Sequence, residues 1–169
     1  MRRLLFMCAA AVSVAASAYA QAKVGIVDVQ RAILGTAEIK KAQTDLETKY
    51  RPRQEAMAKL DRELQQIQGQ LQSMAGKLTP QAEQDLQTQG QRKQRDLQRL
   101  NEDLQGDVDR ERNEILQKAS RNMTDVIKKL AEEKQLDVVI DRANMLFAKD
   151  MLDITTDVIA SYDKTYPVK

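Results

Sequence analysis

The chain has 169 residues, 27 Lys plus Arg against 25 Asp plus Glu, one Cys, and neither His nor Trp. That inventory excludes a Ser-His-Asp or Cys-His site, a His-ligated metal, a Cys-rich zinc site and an internal disulfide framework. With 31% charged and 4% aromatic residues, six Gly and three Pro, it favours long helices over an aromatic core or a base-stacking surface.

In chain order, the first segment reads as an address. Arg2 and Arg3 precede an apolar run from Leu4 to Ala16, and Ala18-Tyr19-Ala20 offers small residues at alternating positions. This pattern predicts a secretory signal cleaved after Ala20, because an apolar run of about 13 residues is shorter than the roughly 20 a membrane span needs. Cleavage discards Cys8, Arg2 and Arg3, leaving 25 basic and 25 acidic residues and no net charge. A Cys-free secreted chain suits an oxidising compartment, in a bacterium the periplasm.

Lys23 to Val29 is β-branched and apolar, bounded by polar residues, and predicts a strand. Gln30 to Leu34 follows as a helical turn ending near Gly35, and Thr36 is placed to cap a helix. From about Ala37 to Glu133 the pattern is helical. Met57, Leu60, Leu64, Ile67, Leu71 and Met74 recur in alternating steps of three and four, a heptad stripe. Arg53 is the one charge in that stripe, beside Pro52, which removes a helix hydrogen bond and should bend the helix. Gly76, Thr79 and Pro80 mark a turn, with Thr79 as cap and Pro80 at the first position of a returning helix. The returning stripe, from Leu86 to Leu130, is thin near the turn, where Gly90 and Lys93 stand in place of apolar residues, and Gln is abundant between Gln65 and Gln105.

Leu136 to Asp141 predicts a second strand, Arg142-Ala143-Asn144 a turn, and Met145 to Ala148 a third strand. Asp153 is placed to cap a closing helix whose apolar side holds Ile154, Val158, Ile159 and Tyr162. The fold class is therefore α+β: a small β body (21–36 and 134–169) and a long antiparallel helical hairpin (37–133) with its tip near 75–80. A body of about 50–60 residues is near the lower limit for independent stability, and its short strands leave open edges. Sharing one core among subunits answers both problems.

Val24 to Gln30, Lys41-Ala42-Gln43, Leu46-Glu47 and Pro52-Arg53-Gln54 resemble the start of the Skp/OmpH family of periplasmic chaperones. Leu136 to Arg142, Leu146-Phe147-Ala148, Leu152 to Thr155 and Val158-Ile159 resemble its end. The resemblance implies a jellyfish-like homotrimer whose three arms enclose a cavity. It also implies an ATP-independent holdase, which receives unfolded outer-membrane proteins. The missing His and Cys make an enzyme the least favoured class, and no cofactor or metal is expected. The implied trimer body includes Val24, Ile26, Val27, Val29, Val138, Ile140, Leu146 and Phe147. Met57, Leu60, Leu64, Leu71 and Met74 are the candidate client contacts, since the thin seam leaves them partly available and Met adapts to varied partners. Arg92, Lys93, Arg95 and Arg99 form a basic cluster, a candidate site for lipopolysaccharide or an anionic membrane surface. Balanced charge, few aromatics and a secretory signal argue against nucleic acid. A structural coiled-coil spacer or tether of the cell envelope is the alternative function.

Overall fold

The computed structural model describes residues 22–168, so the expected signal sequence lies outside the described residues. The elements in chain order are β1 (Val24–Val27), α1 (Val29–Gly35), α2 (Ala37–Ser73), α3 (Pro80–Glu133), β2 (Val138–Asp141) and α4 (Thr155–Thr165). Helices α2 and α3 form the hairpin. At 1.5 Å per residue, α2 with 37 residues reaches about 55 Å and α3 with 54 residues about 80 Å. The surplus of α3 runs on into the base of the molecule.

Because the hairpin brings the chain back to where it started, β1 and β2 pair in parallel, from Val24 opposite Val138 to Val27 opposite Asp141. A parallel pair needs a long crossover, and here the entire hairpin is that crossover. On its other side β1 holds one bridge, with the Ile154 N–H donating to the Ile26 carbonyl at 2.8 Å. The expected third strand at Met145 to Ala148 is not formed. The chain leaves β2 through a tight turn at Arg142–Asn144, where the Asp141 carboxylate accepts from the Ala143 N–H at 3.2 Å, and then runs without a ladder partner. Leu146 and Phe147 stand in solvent, 108% and 80% exposed, because nothing among the described residues lies over them.

The core sits where β1, α1, α4 and the last turns of α3 meet. It comprises Val27, Ala32, Met123, Val126, Leu130, Ile154, Val158 and Tyr162. The base therefore draws on α3 as well as on the flanking segments 21–36 and 134–169. Gly25 is buried there, and a Cβ would lie 2.7 Å from Leu136 Cδ1 and 3.1 Å from Ile154 Cδ1, so a larger residue would have to displace those side-chain ends. The closing helix starts one residue later than expected. Ile154 occupies the cap position, and the Asp153 carboxylate accepts from the Thr155 N–H at 2.8 Å.

Candidate functional site

The hairpin is built from its ends inward. Thr36 caps α2, its hydroxyl accepting from the Ile39 N–H at 3.3 Å. At the tip, Gly76 takes φ +73°, a left-handed conformation that favours glycine. Thr79 then accepts from the Ala82 N–H at 3.2 Å, with Pro80 opening α3. The sequence signals at the tip, Gly76, Thr79 and Pro80, thus act as expected.

Ile39, Tyr50 and Ile67 are the buried residues of α2, with Leu104 and Ala119 among those of α3. Most other seam positions are half-buried. The two irregular positions of α3 have physical roles. Gly90 lies opposite Ile67, where an added Cβ would be 3.4 Å from Ile67 Cγ2, so it occupies a seam position in close contact with α2. Lys93 reaches across the seam to Glu63 at 2.5 Å, and that hydrogen bond holds the Glu63 carboxyl below the usual carboxylate range.

Polar cross-links continue toward the base. Arg53 donates to Asp107 at 2.6 Å, and Asp107 also pairs with Arg110. Tyr50 and Lys49 both donate to Glu111, at 2.8 and 2.6 Å, while Lys49 and Arg53 lie 5.4 and 5.6 Å from the Tyr50 ring centroid. This cluster brackets Pro52, whose missing N–H leaves the Thr48 carbonyl without its helical partner, although α2 continues through it. Hydrogen bonds from Lys49 and Tyr50 hold Glu111 below the carboxylate range, and those from Arg53 and Arg110 do the same to Asp107. At the root, Tyr162 donates to Glu38 at 2.5 Å, and Lys118 donates to the other Glu38 oxygen at 2.9 Å. Burial pushes the Glu38 carboxyl up, but these two donors outweigh it and leave it low. Burial and the Glu38 hydrogen bond together raise the Tyr162 hydroxyl, which stays protonated.

Of the candidate client contacts, Met57, Leu60, Leu64 and Leu71 are half-buried along the seam, and Met74 is exposed at the tip. Met57 also lines a groove of 540 Å³ between the helices, together with Ala58, Asp61, Gln94, Leu97 and Asn101. The basic cluster is divided. Lys93 turns inward to Glu63, while Arg92, Arg95 and Arg99 stay exposed, Arg99 beside Asp96 at 3.5 Å. Among the named body residues, Ile26 and Val27 are buried in the chain's own base, and Val24, Val29 and Ile140 are half-buried. Val138, Leu146 and Phe147 are exposed. Residue patterns alone did not reveal the cross-seam pairs of Glu63, Asp107 and Glu111. The sequence signal was there in the out-of-place polar residues Arg53 and Lys93, but their partners depend on the register of the helices.

A relative from Pseudomonas aeruginosa, described as a Skp-like protein, is 25% identical over 150 residues, covering 89% of each chain. A crystal structure of a candidate outer membrane chaperone (OmpH-like) from Caulobacter crescentus CB15 superposes with a TM-score of 0.72 at 19% identity, again covering 89% of each chain. The fold, a strand pair crossed over by a long helical hairpin, is shared with that structure. The sequence model of the family described as outer membrane protein (OmpH-like) matches residues 23–162, β1 through most of α4, and the chain belongs to that family.

Proposed function

We propose that this protein is an ATP-independent periplasmic holdase that binds unfolded outer-membrane proteins and keeps them from aggregating before insertion. The observation that carries this reading is the hairpin seam, which is long and incompletely filled. Half-buried Met57, Leu60, Leu64 and Leu71, with exposed Met74, offer many weak apolar contacts. Membership of the OmpH-like family supports a chaperone role. The proposed activity needs no chemical step. It holds a chain by shallow adaptable contacts and separates its strands from those of other chains.

The working form in this reading is a homotrimer, its body formed by 21–36 and 134–169 and its arms by 37–133. Two features support self-association. Among the described residues β2 is paired on one side only, and Val138 on β2 and Leu146 and Phe147 in the segment that follows it are exposed, as is Met151. Burying a side chain of that size contributes roughly 1.5–3 kcal/mol, so covering several supplies what a small base lacks.

The test is to dilute a urea-unfolded outer-membrane β-barrel protein into buffer with and without the mature chain. Light scattering and complex mass are followed together. Suppressed scattering and a soluble complex are expected. Undiminished aggregation with no complex would sink the proposal.

A further inference from the structure

The hairpin has two unlike flanks beside its seam. On α3 a stripe next to the seam runs from Gln84 through Gln87, Gln91, Gln94 and Gln98 to Asn101 and Gln105. The steps alternate three and four, so these amides lie on one side of the helix. Every member is exposed. The opposite flank of α3 is mostly charged, at Asp85, Arg92, Asp96, Arg99 and Asp103, with Gln89 its one amide. Helix α2 contributes a second stripe, four amides with Ala58 and Asp61 between them: Gln54, Ala58, Asp61, Gln65, Gln68 and Gln72 recur in alternating steps of four and three, all exposed. The two stripes lie on the same side of the hairpin, because Ala58 and Asp61 share one groove with Gln94, Gln98 and Asn101. The floor of that groove is apolar, at Met57 and Leu97.

We propose that this amide-bordered trough is the surface on which an extended, uncharged polypeptide segment of an unfolded client docks. The inference rests on the holdase reading and specifies its contact face. A primary amide both donates and accepts, as a peptide group does, so it can pair with unsatisfied backbone N–H and C=O groups whatever the client's side chains. Gln87 and Gln98 each donate one N–H to a neighbouring carboxylate, at 3.2 Å to Glu83 and 2.9 Å to Glu102. Each keeps a second N–H and a carbonyl oxygen. Charge complementarity selects the occupant: the one charge lining the groove is the Asp61 carboxylate, which repels an anionic headgroup or phosphate, while the amides cost a neutral backbone little desolvation. Length agrees, since Gln84 to Gln105 spans roughly 32 Å of helix. That accommodates about ten extended residues, the length of one barrel strand. The apolar floor takes alternate side chains of such a strand. The same face explains how a chain of zero net charge after its leader can hold clients without steering them by charge.

The test replaces Gln87, Gln91, Gln94 and Gln98 by Ala in the mature chain, which removes amides while favouring the helix. A second variant replaces Asp85, Arg92, Asp96 and Arg99 by Ala on the opposite flank, removing two charges of each sign so that the net charge is unchanged. Affinity for a urea-unfolded β-barrel protein is measured for both at low and high salt. The amide variant should bind at least about tenfold more weakly, as loss of several net hydrogen bonds implies. The opposite-flank variant should stay within about twofold, with little dependence on salt. Amide-variant binding equal to the parent's would overturn this inference and leave the holdase reading standing. Failure of the unaltered chain to bind any unfolded client would overturn both. Binding that collapses with salt would assign the contact to charged residues and overturn the amide trough. As a second readout, a photoreactive residue at position 94 should capture the client, and capture from position 96 alone would contradict the proposal.

Discussion

Tyr162 is where the base and the hairpin meet. Its ring is fully buried and lies 5.1 Å from that of Tyr166, and its hydroxyl donates to Glu38 on the first turn of α2. Tyr162→Phe keeps the packing but leaves Glu38 with Lys118 alone. It should cost about 1–2 kcal/mol, read from urea unfolding, the range expected when one partner of a part-buried hydrogen bond is removed. An unchanged midpoint would show that water replaces the hydroxyl freely. The carboxyls of Glu38, Glu63, Asp107 and Glu111 share one direction, each held below its ordinary range by donors across the helices or from α4. Groups depressed in the folded state stabilise it above their unfolded values, and that contribution is lost as pH falls through the folded ones. The melting temperature followed by circular dichroism should therefore vary little down to about pH 5 and fall below about pH 4. With no histidine in the chain, no step is expected between about pH 6 and 7. Stability that rises on acidification would contradict the assignment.

At the scale of elements, the ends of α3 differ in how plainly they are written. Its start carries Thr79 and Pro80, a signal readable in sequence. Its end carries no glycine. The Leu136 N–H donates to the Ala131 carbonyl at 2.8 Å and the Gln135 N–H to Glu132 at 3.1 Å, a Schellman closure that puts Gln135 at φ 54°. A glutamine there is strained where glycine is not, so Gln135→Gly should stabilise by about 0.5–1 kcal/mol. Gly76→Ala at φ +73° should destabilise by a similar amount. Gly106→Ala should stabilise by about 0.5–1 kcal/mol, since its Cβ would meet nothing within 4 Å on an exposed helix face. Thermal melts of the three variants against the parent check both signs. Gly90 resembles Gly106 in sequence, yet only the packing of Ile67 shows that it sits inside the seam.

At the scale of the whole molecule, the exposed segment after β2 makes the sharpest prediction about assembly. If the proposed trimer forms through this segment, Leu146→Asp combined with Phe147→Asp should convert it to monomers in mass measurements while leaving helical content nearly unchanged, because neither side chain supports the chain's own core. Trimers that persist through both substitutions would place the subunit interface elsewhere. The same segment marks the limit of reading one chain. Its apolar and aromatic character matches a strand, but strand formation requires a partner for the backbone, and none lies alongside it among the described residues.

The heptad steps, the Thr36 and Thr79 caps, Gly76 and Pro80 decided from sequence that this would be a long antiparallel helical hairpin, whereas the small body was expected to hold three strands and holds two. Those hairpin signals act locally, through helix period, capping and φ, and local physics is written in neighbouring residues. Packing decided the rest: the pairing of Lys93 with Glu63 and of Tyr162 with Glu38, the place of Gly90 against Ile67, and the groove that Ala58 and Asp61 share with Gln94, Gln98 and Asn101. The two hydrogen-bonded pairs link residues 30 and 124 positions apart. They depend on how α2 slides and rotates against α3 and α4, which the geometry of close packing sets and a one-dimensional pattern does not encode.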